Sequence, residues 1–592
     1  SAGNAVQEKK IFSYARQMIL TIFHLLILSE DEMNNKLEIK NANVNINHKI
    51  DVFRRYRFNG EIYVKLCDCL DDISTVNYKL IKSGEICSKI FTNDPNEISI
   101  FKSQTYGEYS VVADITLKNG EVIEEKSHSI IILQDELSSQ IKPDHKKPSL
   151  KGKLRIEQTE NENYLKIMFK PGGLDKLNNE NKNIVPIYEN FKLGIEFVQC
   201  FSPDVLNKII KRNTSSLRFL NFYKVISNLT NDDMLSLAIE IENLDYVEYC
   251  CLSPNFSCID PPRKNLTTLD LSPKESVTPD FSILQGYLYD GLGMNVIPAW
   301  NDLFWSGLTT VCRVFDFGIN KEHEDLSNIT VAIDSRPGAN TNHGTATSGC
   351  IAGESSNGMG IKGLVDDRCR LSFYDVTVEP TLGGVIADAQ RGDIIVVNVS
   401  AAVSVASGRT LQVPGSHVRS LWDQIYECVN EIGAVVVLAA GNGYTDRWEG
   451  AQLDLIPEFN DWGDNGSSMI SACVSTSGNL SSFSNSGSHV YMNSWGDSVV
   501  TTGYGDLHTV VGTDTRDYTA IYSGTSSATP LVGGALTLTQ GYSRSLLGVV
   551  LDSYDMRELM RLTGNSNPTE IVSGRRPNVT VALQHLIDTT WG

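Results

Sequence analysis

From about residue 280 to the end of the chain, short and almost uninterrupted apolar runs alternate with stretches of helical spacing. The runs are VCRVF at 311–315, LSFYDV at 371–376, IIVVNVS at 394–400 and AVVVLAA at 434–440. Strands that are apolar on both faces belong to parallel sheets covered by helices on both sides. Residues 285–592 are therefore expected to form an α/β domain. The pattern upstream is different. Over 36–145, GEIYVKL, TVNYKLI, YSVVADITL and SIIIL alternate with period two and are punctuated by turns such as Lys118-Asn119-Gly120. That alternation predicts an antiparallel β-sandwich.

A smaller α/β unit is expected over 150–262, with its core at 190–256. It opens with a strand in YLKIMFKPG (164–172) and a polar loop over 176–182. KLGIEFVQC (192–200) and FLNFYKVI (219–226) read as strands, with a helix from Pro203 to Lys211 between them. A second helix spans Thr230 to Leu244. Thr230-x-x-Asp233 marks its start, and Met234, Leu237, Ala238 and Ile241 share one face. VEYCCL (247–252) closes the unit as a strand. Pro254 to Pro279 is rich in Pro, Ser and Thr and reads as extended, and Asp144–Pro148 and residues 263–284 read as linkers. Residues 1–35 read as a helical segment. Its apolar run MILTIFHLLIL (18–28) is shorter than the roughly 20 residues a membrane span needs. It reads as a buried helix, with the remnant of an export signal as the alternative.

Charge and cysteine content narrow the function. A formal net charge of −20 leaves no basic surface for nucleic acid or an anionic membrane. The 12 cysteines show no zinc-ligand spacing, and Cys312, Cys350 and Cys473 sit in apolar runs as expected of buried thiols.

The chemistry lies in four short stretches of 285–592. Asp316 directly follows the strand VCRVF, where functional residues of a parallel sheet gather. A buried carboxylate there can fix the tautomer of a histidine and stabilise its protonated ring. His343 opens the small-residue run His343-Gly-Thr-Ala-Thr-Ser-Gly349 and so would project from a helix start as a general base. Ser526, in Ser523-Gly-Thr-Ser-Ser-Ala-Thr-Pro530, would sit at another helix start, facing backbone donors. Pro530 would be in the first turn, where a missing N–H costs nothing. Asn442, in Ala440-Gly-Asn-Gly443 after the strand AVVVLAA, is placed to donate its amide to an oxyanion. Asp316-Phe-Gly318 also spells a kinase magnesium motif, but no glycine-rich loop or His-Arg-Asp loop accompanies it.

With the order Asp…His…Ser and these contexts, residues 285–585 resemble the subtilisin-like serine proteases, the subtilases. The resemblance implies an α/β fold with a parallel sheet between helices. It implies catalytic Asp316, His343 and Ser526, with Asn442 and the Ser526 N–H as the oxyanion hole. It also implies a substrate-binding strand at Ser400 and a pocket wall at Ala439, Ala440 and Gly441. Phe317, Ala401-Ala402 and Ser527 depart from the family pattern without removing a catalytic group. No organic cofactor is required. A structural calcium ion would use Asp325, Asn357 and the Ile361 carbonyl, although the His343 loop is one residue longer than usual for the family and no N-terminal Gln ligand is evident. Residues 150–262 resemble the subtilase propeptide, which assists folding and inhibits the enzyme, so a maturation cut is expected between about 253 and 285.

The resulting expectation is a secreted endopeptidase made as a zymogen. It would act on protein or peptide substrates, with its own propeptide-like domain as intramolecular inhibitor and with neither nucleic acid nor a membrane span. Two other readings fit part of the sequence: a catalytically silent binding or adhesion protein of the same fold, and a latent intracellular regulatory protease.

Overall fold

The computed structural model describes residues 50–591 apart from a set of segments. The longer of these are 57–61, 67–72, 102–106, 133–154, 157–163, 180–187, 189–193, 258–276, 301–309 and 457–462. The expected helical segment 1–35, the 144–148 linker and most of the 263–284 linker lie outside the described residues. The chain divides into two compact units, one essentially residues 1–141 and the other 142–586.

Apart from one short parallel pair, Arg55–Tyr56 with Ile131–Ile132, the strands of the first unit pair antiparallel, as the period-two pattern predicts. Strands β1 (Ile50–Val52), β3 (Ile62–Leu66) and β6 (Ser99–Phe101) form a three-stranded sheet. The larger sheet runs β2 (Arg55–Tyr56), β9 (Ile130–Ile132), β7 (Gly107–Leu117), β4 (Ile73–Lys82), β5 (Glu85–Thr92), with β8 (Val122–Lys126) also on β7. Val76, Tyr78 and Leu80 on β4, and Val111, Ala113 and Ile115 on β7, bury one face, and the residues between them are mostly more exposed.

The second unit holds two main sheets. The first has the order β10 (Arg155–Ile156), β14 (Val247–Ser253), β11 (Tyr164–Phe169), β13 (Phe222–Ser227), β12 (Ile195–Gln199). Helices α2 (Pro203–Arg212) and α3 (Asn231–Glu242) accompany it. Thr230 caps α3 by accepting from the Asp233 N–H at 3.1 Å, and Leu237, Ala238 and Ile241 are buried as the spacing predicts. Two local expectations are corrected. The polar stretch after 172 is partly helical, α1 (Gly173–Asn179), because Leu177 reaches the core. The strand expected from Phe219 begins only at Phe222, since 215–221 form a tight 3-10 helix that buries Ser216 and Phe219.

The second sheet is seven-stranded and wholly parallel. Its order is β17 (Ile329–Ile333), β18 (Arg370–Asp375), β16 (Val311–Asp316), β19 (Ile394–Val397), β22 (Val435–Ala439), β24 (Ser468–Cys473), β25 (Val490–Trp495). One face meets α4 (Asn342–Ala352) and α7 (Thr525–Tyr542). There Gly533 of α7 lies directly on Val396 and Val437, leaving no room for a side chain. On the other face Phe315, Val397 and Leu438 pack with α5 (Gly383–Asp388) and α6 (Arg419–Tyr426). Phe201, Phe219 and Phe222 from the five-stranded module join that same cluster. Arg212, at the end of α2, donates to the carbonyls of Ile386, Ala387 and Ala389 at 2.5–3.1 Å, capping the C-terminus of α5. The expected buried thiols are found: Cys312, Cys350 and Cys473 are free and buried.

Candidate active site

Asp316 is the last residue of β16 and is fully buried. His343 is the second residue of α4. Gly344 after it lets the helix start press against the sheet, since a Cβ there would lie 2.6 Å from the Phe373 ring. The Gly344 N–H donates to the Phe317 carbonyl at 2.9 Å, which ties the two stretches together. The His343 Nδ1 lies 2.6 Å from the Asp316 Oδ1. A carboxylate can only accept, so Nδ1 carries the proton and Nε2 is the basic nitrogen. Phe317 and Tyr522 stand edge-on to the imidazole, with centroids 6.1 and 5.8 Å away. Phe317, which departs from the family pattern, thus helps seat the ring.

Ser526 is the second residue of α7. The turn into that helix is made by Gly524 at φ 91°, a conformation that favours glycine. Pro530 is therefore not in the first turn, as the sequence suggests, but inside the helix. Asn442 follows β22 between Gly441 (φ 92°) and Gly443 (φ 72°). Its Oδ1 accepts from both the N–H and the hydroxyl of Thr525, each at 2.9 Å. That orientation makes the NH₂ end the donor side of the amide and places it beside the start of α7.

Ser400 opens β20 (Ser400–Ser404), in a four-stranded sheet with β21 (Thr410–Pro414), β23 (Gly443–Tyr444) and β15 (Phe256–Ser257). The pairing of β15 with β20 is antiparallel: Phe256 stands opposite Ala401 and Ser257 opposite Ser400. Ala439 ends β22. The carbonyl of Ala440 accepts from the Asn485 side chain at 2.7 Å, and that of Gly441 accepts from the Asn485 N–H at 3.0 Å. Asp316, Ala439, Ala440, Gly441 and Asn442 thus lie at the carboxyl ends of β16 and β22 and Ser400 on the sheet beside them, while His343 and Ser526 open helices α4 and α7.

Asp325, Asn357 and Ile361 also come together, but as a hydrogen-bonded cluster. Asp325 accepts from the Asn357 amide at 2.5 Å and from the Ile361 N–H at 2.8 Å. Burial pushes its carboxyl up to about 6, against the pull of these donors and of Tyr518. A calcium cage needs oxygens turned toward the ion, whereas two N–H groups fill this carboxylate. The arrangement in the structure does not fit the cation. Among the described residues, no group of three or more His, Cys, Asp or Glu side chains could hold a metal ion. No helix among them is long and apolar enough to cross a membrane.

Sequence reasoning missed Asn398. Its Nδ2 lies 3.1 Å from Asp316 Oδ2, 2.8 Å from Thr347 Oγ1 and 3.0 Å from the Ser526 carbonyl. The signal was available: an asparagine inside the apolar run IIVVNVS must find polar partners when buried.

Residues 307–576 match the model of the subtilase family, Peptidase_S8. The chain is 28% identical over 274 residues to a thermophilic serine proteinase of Bacillus sp. (strain AK1), covering 45% of this chain and 60% of that protein. It is 26% identical over 297 residues to an extracellular protease of Xanthomonas campestris pv. campestris, covering 43% of this chain and 47% of that protein. The chain thus spans about half the length of the relatives it matches. Among solved structures, a protease from Pseudoalteromonas arctica is 20% identical with a TM-score of 0.38, covering 52% of this chain and all of that one. The stretch from 307 to 576, which contains Asp316, His343, Asn442 and Ser526, is a domain of the subtilase family.

Proposed function

We propose that the protein is a serine endopeptidase that cleaves peptide bonds through an acyl-enzyme. The observation that carries this reading is the buried Asp316–His343 pair at 2.6 Å, connected through Asn398 to Ser526 at the start of α7. With Nδ1 held by Asp316, Nε2 of His343 takes the Ser526 proton as the oxygen attacks the scissile carbonyl. The same nitrogen then returns the proton to the leaving amine. The Asn442 amide and the Ser526 N–H receive the developing oxyanion, and the positive end of α7 favours that charge. No organic cofactor enters these steps. The experiment is labelling with a serine-reactive fluorophosphonate. Ser526 is the expected site, and a wild-type protein left unlabelled both as precursor and after trimming would reject the reading.

The five-stranded module is read as an inhibitory propeptide. Support comes from β15, which continues from its last strand and occupies the edge of β20, where a substrate strand would lie. Going from Phe256 to Ser257, that segment moves toward Ser400 and hence toward Asn398 and the catalytic residues. A cut shortly after Ser257 follows. Amino-terminal sequencing of the active enzyme tests this, and a first residue upstream of 258 would exclude it. Secretion completes the proposal and agrees with the name of one relative, an extracellular protease. Detection of the mature enzyme only inside cells would refute it.

A further inference from the structure

Ser526 has an unusual problem that Pro530 creates. In a regular helix, the carbonyl of a residue accepts from the N–H four positions on. Here that position is Pro530, which has no N–H and whose ring crowds the same carbonyl. The Ser526 carbonyl therefore needs a donor from outside the helix. It has two: the Tyr522 hydroxyl at 2.9 Å and the Asn398 Nδ2 at 3.0 Å.

These donors belong to one buried node. Asn398 is 1% exposed, and Asp316, Thr347 and Tyr522 are fully buried. Thr347 Oγ1 lies 2.9 Å from the Tyr522 hydroxyl and 2.8 Å from Asn398 Nδ2. Tyr522 has one hydroxyl hydrogen, and its best use is the orphaned Ser526 carbonyl. Thr347 then donates to Tyr522. The two amide hydrogens of Asn398 are left for Asp316 Oδ2 and for the pair formed by Thr347 Oγ1 and the Ser526 carbonyl. One side chain thus touches the acid, the helix that carries the base and the main chain of the nucleophile. The ring of Tyr522 also stands edge-on to His343.

We infer that Asn398 and Tyr522 are positioning residues that set the spacing between Ser526 and the Asp316–His343 pair. The inference rests on the reading of Ser526 as nucleophile. The two residues act differently. The Tyr522 hydroxyl holds the Ser526 carbonyl. Asn398 also donates to Asp316, spreading the carboxylate charge. Loss of that donor leaves Asp316 a stronger partner for the protonated imidazole, so the apparent pKa of His343 rises and the acid limb of the pH profile moves to higher pH.

The test measures the rate of fluorophosphonate labelling against pH on the full chain. The variants are Tyr522→Phe and Asn398→Ala, with thermal unfolding followed in parallel. Tyr522→Phe should label about tenfold more slowly with an unmoved pH midpoint, the factor of one ordinary hydrogen bond. Asn398→Ala should label more slowly still, with its midpoint shifted upward. Rates within twofold of wild type for both Tyr522→Phe and Asn398→Ala would overturn the inference. So would an unshifted midpoint in Asn398→Ala, which marks a merely structural role. If Asn398→Ala does not fold, Tyr522→Phe decides by its rate alone. A wild-type protein left unlabelled both as precursor and after trimming would overturn the protease reading, and this inference with it, a result distinct from labelling that ignores the substitutions.

Discussion

Replacing Arg218 with alanine should loosen the five-stranded module from the subtilase domain. Its guanidinium lies 2.8 Å from Asp423 and 3.3 Å from Glu427, both on the far side of the contact and both buried. Burial pulls the pKa of Arg218 down, but Asp423 and Glu427 outweigh it and hold the group charged. Removing one member of a buried ion network costs roughly 3–5 kcal/mol. Two features reduce that here. The Arg218 side chain is 21% exposed, and other donors remain: Tyr249 on Asp423 at 3.2 Å and Ser216 on Glu427 at 2.8 Å. A loss of about 2–3 kcal/mol is reasonable, or roughly 30- to 150-fold in affinity. The assay uses a Ser526→Ala chain with a site for an unrelated protease inserted in 263–276. The chain is cut once, and co-elution of the two pieces is followed on dilution. Arg218→Ala pieces should separate at a concentration roughly 30- to 150-fold higher than the parent's. Separation at the same concentration would refute the idea that this network holds the module.

Three further outcomes are expected. Ser526→Ala should accumulate as uncut precursor on gels, and normal trimming of that variant would mean another protease makes the cut. Asp316→Asn should lower kcat by about 10⁴ with little change in KM, because an uncharged amide that can also donate no longer fixes the tautomer of His343 or stabilises its protonated ring; a loss under tenfold in peptide hydrolysis would argue against that role. Arg557→Met should destabilise the domain by about 3 kcal/mol in thermal or urea unfolding, since the Arg557 guanidinium binds both oxygens of Asp464, at 2.5 and 2.8 Å. Burial raises the Asp464 carboxyl, but Arg557 outweighs it and the net shift is downward. The pair's contribution is thus full above about pH 4, the unfolded value, and fades as pH falls through the lower folded value. The gap between variant and parent should shrink there. A gap independent of pH would mean the pair is not its cause.

The central sheet was legible because its strands are apolar on both faces: Ile394–Val397 and Val435–Ala439 are buried at every position. Asp316, His343, Asn442 and Ser526 were legible because each follows a strand or opens a helix, where local sequence constrains the backbone. The misses have physical reasons. Only Gly173 and Leu177 of α1 are buried, too few to mark a helix amid Asp, Lys and Asn. Pro530 was placed one turn early because the helix start depends on the positive φ of Gly524, which composition does not disclose. Asn398 was hidden by its setting, since its partners come from positions as far off as 316 and 526. The gathering of Asp325, Asn357 and Ile361 was foreseen, but its polarity was not: which atoms face the carboxylate depends on the turn at Gly360 (φ 61°).

The four-stranded sheet in which β15 covers the edge of β20 has a consequence for selectivity. With Phe256–Ser257 gone, β20 becomes an edge strand that presents main-chain N–H and C=O groups in a row. Such an edge reads conformation before it reads side chains. Whatever docks there must arrive as an extended strand with its own backbone groups unspent. A helix or an intact sheet cannot comply without first coming apart, so a well-folded neighbour is protected by its own opening free energy. Frayed termini and long loops have no such shield. The same bare edge would also pair with a second copy of itself, so a protein of this design has reason to keep the strand covered until a client is at hand.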